Sequence, residues 1–303
     1  MDAKVNVAVI GAGPAGIAAG IFLQRAGLGP LLIEKGEPGG LLRSANLVEN
    51  YPGFPNGIVG GELVGLFSEH LRRVGAVVIR ARVMRVNPLR GSFQIATDAG
   101  KLTAKALIVA TGTRPLDIRL KGHRALMNKS VFDEITEVPA ALRKNRRAIV
   151  IGGGDAAFDY ALNLRASGDE VAIVSRSKPS CLSLLRERSE EKGVEILVGL
   201  TPESVRGLGR GVELKCRSHA MTRDLQADFV LTACGRVQNL DFLSPSLRRR
   251  IGQKPPPETP VPGFYVAGDV ARGNHRQTGI AIGDGIRAAM LAQDFLKKKE
   301  GPR

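Results

Sequence analysis

KVNVAVIGAGPAG, residues 4–16, decides the fold of this chain of 303 residues. Residues 4–10 are a short apolar run rich in β-branched side chains, which predicts a strand. Gly11, Gly13 and Gly16 follow with the spacing G-x-G-x-x-G, and an Ala-rich helical stretch comes next. In such a turn the first glycine permits the bend, the second admits a pyrophosphate and the third allows close helix packing. The stretch therefore predicts the start of a dinucleotide-binding βαβ unit.

An acidic residue completes this unit. A second apolar strand is predicted over residues 31–33, and it ends in Glu34, at the spacing from Gly11 that a ribose-binding acid has. A carboxylate there accepts hydrogen bonds from the ribose of the dinucleotide. The candidate residues of this first site are Gly11, Gly13, Pro14, Ala15, Gly16, Glu34 and Lys35.

The same arrangement recurs in the middle of the chain. Residues 147–151 are apolar and β-branched, residues 152–157 read GGGDAA and fit G-x-G-x-x-A, and a helix and a strand over 170–174 follow. Two such turns about 140 residues apart predict two doubly wound domains, one for each dinucleotide. The candidate residues of the second site are Gly152, Gly154, Asp155, Ala156 and Ala157.

The loop after the strand at 170–174 contains no carboxylate. It reads Ser175-Arg176-Ser177-Lys178, at the position where such folds contact the ribose. An acid there favours the free 2′-hydroxyl of NADH, whereas a cation pairs with the 2′-phosphate of NADPH. Arg176 and Lys178 therefore favour NADPH, while NADH, with the two cations merely solvated, stays open.

The composition narrows the function further. Lys and Arg number 44 against 29 Asp and Glu, for a net charge of +15, which suits an acidic partner. The cations are spread along the chain without interleaved aromatic residues, so no nucleic-acid partner is predicted. The apolar run 5–23 is interrupted by glycines and a proline and lacks the flanks of a signal peptide, which predicts a cytoplasmic protein without membrane contact.

The cysteines and histidines add no site. Cys181, Cys216 and Cys234 are too few and too scattered for a secreted disulfide framework, and they contain no C-x-x-C pair. The histidines show no metal-binding spacing. No metal is therefore predicted.

Further motifs resemble the thioredoxin-reductase-like flavoproteins along nearly the whole chain. Residues 39–42 (GGLL) and 48–53 (VENYPG) look like the flavin-cradling loop of that family, and 110–112 (ATG) looks like its interdomain turn. Residues 268–270 (GDV) resemble the segment that holds the ribityl chain, and Arg276-Gln277 resembles the pair at the pyrimidine edge of the flavin. The resemblance implies FAD contacts at Gly40, Leu41, Asn50, Ala110, Thr111, Gly112, Gly268, Asp269, Arg276, Gln277 and Thr278.

The resemblance also implies the architecture. It is an α/β fold of two doubly wound, three-layer dinucleotide-binding domains, with the NAD(P)H domain inserted into the FAD domain. Residues 1–114 and 242–303 then form the FAD-binding domain and residues 115–241 the NAD(P)H-binding domain. The last helix is predicted from about Gly283 to Lys297. Members of the family are usually homodimers, so a homodimer is implied.

Two departures from the family pattern concern its chemistry. The redox C-x-x-C of the family, counted back from Gly152, falls on residues 135–138, which read ITEV and contain no sulfur. Thiol exchange needs a thiolate pair, so an internal dithiol relay is predicted to be absent. The His-Arg-Arg phosphate reader is reduced to residues 175–177, SRS. Residues 159–161, DYA, resemble the branch without the dithiol, the thioredoxin-reductase-like ferredoxin NADP reductases.

Together these features predict an FAD-dependent NAD(P)H oxidoreductase. Its best candidate acceptor is a small acidic redox protein such as ferredoxin or flavodoxin. No catalytic side chain is predicted, because the flavin itself performs the chemistry. Two alternatives stay open: a reductase that acts on an external disulfide or small oxidant at the flavin, and a non-catalytic sensor that binds flavin and nucleotide.

Overall fold

The computed structural model describes residues 3–142, 144–218, 221–253 and 255–300. The chain divides into two compact units. The first comprises residues 1–43, 47–114 and 237–303, and the second comprises residues 44–46 and 115–236. In the described ranges, no helix is both long and apolar enough to cross a membrane.

Strands and helices alternate in each unit. In chain order the strands are β1 (Ala3–Ile10), β2 (Leu31–Glu34), β3 (Val77–Arg80), β4 (Val83–Leu89), β5 (Ser92–Thr97), β6 (Gly100–Val109), β7 (Thr113–Pro115), β8 (Val131–Phe132), β9 (Arg147–Ile151), β10 (Glu170–Ser175), β11 (Glu195–Val198), β12 (Thr201–Gly207), β13 (Val212–Arg217), β14 (Thr222–Ala227), β15 (Phe229–Thr232), β16 (Arg236–Gln238) and β17 (Phe264–Val266). The α-helices are α1 (Pro14–Arg25), α2 (Gly60–Arg73), α3 (His123–Leu126), α4 (Asp155–Ala166), α5 (Ser183–Glu191), α6 (Pro245–Ile251) and α7 (Thr278–Glu300). Short 3-10 turns occupy Gly40–Ser44, Ile135–Glu137, Ala140–Leu142 and Gly268–Ala271.

The first unit is built on a sheet with the strand order β3-β2-β1-β6-β5-β4, and β17 also pairs with β6. Strands β1, β2, β3, β6 and β17 run parallel, whereas β4 and β5 are antiparallel. In the register, Ile10 lies opposite Ile33 and Val109, and Val109 lies opposite Val266. The loops that follow β1, β2, β6 and β17 therefore leave the sheet at one edge, where open α/β sheets bind ligands.

Both faces of this sheet are covered by apolar packing. On one face the buried residues Val7 and Val9 pack with α1 and α7, and on the other Phe93 packs with α6 and β17. Helix α7 approaches α1 closely at Gly285, where a Cβ atom would lie 2.0 Å from the carbonyl oxygen of Ala15. Only glycine permits this approach.

The second unit repeats the plan. Its parallel sheet has the order β11-β10-β9-β15-β8, and the antiparallel strands β12, β13 and β14 form a separate sheet. Fully buried Phe158 of α4 packs on one face of the parallel sheet, while Leu214 of β13 belongs to the core on the other. The chain reverses its strand order at β9, so the crevice beside β9 and β15 is where a nucleotide is expected.

Two predicted boundaries are corrected by the structure. The second unit ends at Arg236 rather than at residue 241, because the Asn239 N–H donates to the Gly112 carbonyl at 3.2 Å and Leu240 is buried in the core of the first unit. Helix α7 starts at Thr278 rather than near Gly283. The earlier start places Thr278 in the first turn of the helix.

Candidate functional site

The glycine turn between β1 and α1 contains two glycines that the protein's own packing requires. Gly11 has φ 99°, and a Cβ atom there would lie 2.4 Å from the Ala110 oxygen; at Gly16 a Cβ would lie 1.9 Å from the Gly11 oxygen. Gly13 differs, because its φ of −74° suits any residue and a Cβ would meet nothing nearer than the Gly40 Cα, at 4.0 Å. The space beside Gly13, at the N-terminus of α1, is thus open to an anionic ligand.

Glu34 has a contact that the sequence did not reveal. Its Oε2 atom accepts a hydrogen bond from the Ala12 N–H at 2.8 Å, and its Oε1 atom accepts one from the Gly36 N–H at 3.0 Å. The Gly39 N–H donates to the Ala12 carbonyl at 2.7 Å. Glu34 therefore holds the glycine turn itself, and its carboxylate keeps further lone pairs for a ribose. The neighbouring Lys35 is exposed.

The structure brings together two predicted residues from distant parts of the chain. The Asn50 Nδ2 atom donates to the Gln277 Oε1 atom at 2.7 Å. Tyr51 packs the loop that carries Asn50 against the first unit. The centroid of its ring lies 6.2 Å from the ring centroid of Phe54 and 5.8 Å from that of Phe67 on α2. The predicted flavin loop and the predicted flavin-binding residue just before α7 thus meet in the first unit.

The other predicted residues of the first unit lie at the same sheet edge. The Ala110 N–H donates to the Ile10 carbonyl at 2.8 Å, and the Thr111 hydroxyl donates to the Asn239 carbonyl at 2.7 Å. A Cβ atom on Gly268 would lie 2.8 Å from the Ala15 Cβ, which places this turn against the start of α1. The remaining predicted residues are Pro14, which is the first residue of α1, Leu41, which is exposed, and Asp269 and Arg276, which are half-buried.

The second glycine turn repeats the geometry of the first. A Cβ atom on Gly152 would lie 2.5 Å from the Ala233 oxygen, and one on Gly153 would lie 2.5 Å from the Ser175 Oγ atom. Gly154 has φ −98° and ψ 177°, and nothing lies within 4 Å of its Cβ position. The N-terminus of α4 therefore offers open space where the N-terminus of α1 does.

Asp155 anchors the loop that follows β10. Its Oδ1 atom accepts a hydrogen bond from the Leu182 N–H at 2.9 Å, and the Ser180 N–H donates to the Gly153 carbonyl at 2.7 Å. Asp155 therefore holds this loop, in addition to its predicted contact with a nucleotide. Of its neighbours on α4, Ala156 is exposed and Ala157 is buried.

Arg176 and Lys178 project from this loop into solvent. Both residues are exposed, and neither forms an ion pair with any residue that the structure describes. The Ser175 hydroxyl donates to the Ser177 carbonyl at 2.7 Å, which tightens the turn between them. Two cations without an acidic partner remain available to a phosphate.

The three cysteines lie in different environments, and the pKa values of the thiols of Cys181 and Cys216 are raised. Cys216 is fully buried, and burial raises the pKa of its thiol to about 11. Burial and then the Asp155 carboxylate raise the pKa of Cys181. Cys234 is exposed, and its thiol donates to the Ile151 carbonyl at 3.4 Å. Thiols with raised pKa values are protonated at neutral pH and react poorly. All three are free, and nowhere in the described chain do three or more His, Cys, Asp or Glu side chains gather as metal ligands.

The segment predicted to replace the dithiol is part of the second unit's core. Ile135 and Val138 are 5% and 3% exposed, so both side chains point inward. Beside them, Glu134 accepts hydrogen bonds from the Tyr160 hydroxyl at 2.8 Å and from Arg236 Nη2 at 2.6 Å. Burial and the Glu134 carboxylate raise the pKa of Tyr160. The sequence did not reveal this triad, because its members come from three distant segments.

Comparison with known proteins decides the family. The family model described as pyridine nucleotide-disulphide oxidoreductase matches residues 5–285, which include both glycine turns and the 268–278 segment. The chain belongs to this family. The thioredoxin reductase from Chlamydia pneumoniae is 32% identical to this chain over 303 residues, which cover 95% of this chain and 97% of the relative.

Solved structures of the family agree with the fold. The T. acidophilum thioredoxin reductase has a TM-score of 0.86 and 29% identity, covering 98% of this chain and 100% of that one. The Lactococcus lactis thioredoxin reductase has a TM-score of 0.86 and 26% identity, covering 97% of this chain and 99% of that one. The predicted pair of doubly wound dinucleotide-binding domains is confirmed.

Family membership also settles the general chemistry. The chain is a thioredoxin-reductase-like flavoprotein, an FAD-dependent oxidoreductase of the pyridine nucleotide-disulphide oxidoreductase family. It is therefore an enzyme, rather than the non-catalytic sensor that its sequence had left open. The open space beside Gly13 and beside Gly154 fits the two pyrophosphates that such an enzyme binds.

Proposed function

We propose that the first unit binds FAD and the second binds NADPH at the residues predicted from the sequence. The pyrophosphate of FAD would be held at Gly13, its ribose at Glu34, and its flavin end near Asn50, Asp269 and Gln277. The repeated open space at Gly13 and Gly154 is the observation that supports this assignment most strongly. When bound, FAD accepts a hydride from the nicotinamide and releases electrons together or singly.

We further propose that the acceptor takes electrons from the flavin without an internal dithiol. This proposal is supported by the lack of sulfur in residues 135–138 and by the buried, apolar side chains of Ile135 and Val138. The side chains of this chain then bind and orient the two nucleotides, and none carries a covalent intermediate.

A small acidic redox protein, ferredoxin or flavodoxin, is the acceptor that we propose. The net charge of +15 favours encounter with such a protein, because opposite charge raises association rates. An external disulfide is the second candidate, and it is favoured by the relatives and solved structures named thioredoxin reductase. The proposal also includes a homodimer and, because no disulfide framework is present, a cytoplasmic location.

The two acceptors are separated by reoxidation of the reduced enzyme. The protein is reduced anaerobically with NADPH and then mixed with ferredoxin, flavodoxin, oxidised thioredoxin or oxygen. We expect ferredoxin or flavodoxin to restore the visible absorbance of the flavin fastest, and to do so more slowly at high salt. Fastest reoxidation by thioredoxin would instead establish the disulfide acceptor.

Replacing the three cysteines is expected to leave flavin reduction by NADPH intact. The variant carries Cys181→Ser, Cys216→Ala and Cys234→Ala, and the measurement is kcat/KM for NADPH with an artificial dye as acceptor. Because Cys216 is fully buried, Cys216→Ala alone serves as the control for any loss of stability. Loss of dye reduction in a variant that retains its FAD would reveal a thiol relay and overturn the proposed direct transfer.

A further inference from the structure

An ion pair between a buried carboxylate and a partly exposed arginine joins the residue after the 268–271 turn to helix α7. Arg272 Nε donates to Asp284 Oδ2 at 2.9 Å, and Arg272 Nη2 donates to Asp284 Oδ1 at 2.5 Å. Asp284 is 5% exposed, whereas the side chain of Arg272 is 37% exposed. Bidentate pairs of this kind fix the geometry of both side chains. A buried carboxylate that loses its paired cation is strongly unfavourable, so the pair holds the turn and the helix at one separation.

Close backbone packing occurs at the same place. A Cβ atom on Gly285, the residue after Asp284, would lie 2.0 Å from the Ala15 oxygen, and one on Gly268 would lie 2.8 Å from the Ala15 Cβ. The turn, helix α7 and the start of α1 therefore meet here without space between them. A small shift of α7 cannot be absorbed by a gap, and it is transmitted to its neighbours.

The proposed flavin contacts flank the ion pair on both sides. The carbonyl of Asp269 accepts a hydrogen bond from the Arg272 N–H at 3.2 Å, which links the proposed ribityl contact directly to the arginine. Gln277 immediately precedes α7, about two turns before Asp284; its carbonyl accepts a hydrogen bond from the Ala281 N–H at 2.9 Å, and its side chain accepts the one from Asn50. The ion pair is thus a direct side-chain link between two segments that would hold the same ligand.

We propose that Arg272 and Asp284 are positioning residues for FAD. They keep Asp269 and Gln277 in the relative placement that the flavin requires, and they act through these residues rather than by contact with the reacting atoms. This inference rests on the proposed binding of FAD in the first unit. It goes beyond that proposal by assigning flavin affinity to an ion pair outside the predicted contacts.

Asp284→Asn tests the assignment, because the amide keeps the size of the carboxylate and removes its charge. We expect the dissociation constant for FAD, measured by titration of flavin fluorescence, to rise at least about tenfold. Glu69→Gln is the matched control. It breaks the exposed pairs with Arg72 and Arg73 on α2 of the same unit, and we expect it to leave FAD binding unchanged.

A purely structural role predicts a different result. Asp284→Asn would then lower the melting temperature of the protein without changing the dissociation constant for FAD, and that outcome overturns the proposal. If Asp284→Asn fails to fold, Arg272→Lys carries the test, because it keeps the charge and loses the bidentate geometry. Unchanged FAD affinity in that variant also overturns the positioning role. A parent protein that binds no FAD refutes the proposed function itself, so the parent is measured first.

Discussion

Replacing Gly13 by Val is expected to remove bound FAD while leaving the fold intact. The backbone at Gly13 has φ −74°, which suits valine, and the nearest atom to its Cβ position is 4.0 Å away. The added side chain therefore meets the ligand rather than the protein. Loss of two charge-assisted hydrogen bonds to the pyrophosphate, each worth about 1.5–3 kcal/mol, weakens FAD binding by at least about a hundredfold.

Gly154→Val is the matched control for this prediction. Gly154 immediately precedes α4 as Gly13 precedes α1, and its Cβ position is equally open. We expect Gly154→Val to keep its FAD and to lose affinity for NADPH, which is measured from the nucleotide dependence of flavin reduction. A Gly13→Val protein with the flavin content of the parent would show that FAD binds elsewhere.

Replacing Arg176 and Lys178 by Ala is expected to abolish the preference for NADPH over NADH. A charge-assisted contact to the 2′-phosphate contributes about 1.5–3 kcal/mol, so the parent should prefer NADPH by roughly tenfold to a hundredfold. The measurement is kcat/KM for both nucleotides in the parent and in the double variant. Ionic strength is held fixed, because salt screens exposed contacts.

Exposed cations elsewhere in the second unit provide the control. Arg119→Ala with Lys129→Ala removes the same charge from the unit, and we expect it to leave the nucleotide preference unchanged. An NADH preference in the parent, or an unchanged ratio in the Arg176 and Lys178 variant, would refute the assignment of these two residues. The overall charge of the unit, rather than a specific site, would be responsible if the control variant lost the preference equally.

The glycine turns were predictable from the sequence because their requirements are local. Gly11 needs a positive φ, Gly16 needs close packing on its own turn, and Glu34 follows at a fixed spacing. The same local rules identified the turn at Gly152 and Gly154. The antiparallel pairing of β4 with β5 was not predicted, because it depends on the path by which the chain returns to the sheet.

The long-range contacts of the site were not predictable. Asn50 and Gln277 were each assigned to the flavin, but their hydrogen bond joins residues 227 positions apart. Glu134 meets Arg236 across 102 positions, and nothing in the spacing of either residue indicates its partner. Such pairs are set by the paths of the loops and by burial, which leave no periodic pattern in the sequence.

The predicted end of the nucleotide domain failed for a related reason. Residues 237–241 follow the second unit in the sequence, but the buried side chain of Leu240 packs with the strands of the first unit. The sequence around a single apolar residue such as Leu240 does not indicate in which of two hydrophobic cores its side chain is buried. The error concerns only the boundary, because the residues of the second glycine turn lie well before it.

The most direct test of an FAD enzyme driven by NADPH is anaerobic mixing of the purified protein with NADPH, followed by the visible absorbance of the flavin. We expect a yellow protein with one FAD for each chain, whose flavin absorbance bleaches on mixing, faster with NADPH than with NADH. A colourless protein that takes up no FAD on reconstitution, or a bound flavin that NADPH does not reduce, would contradict the proposal that this chain is an FAD enzyme reduced by NADPH.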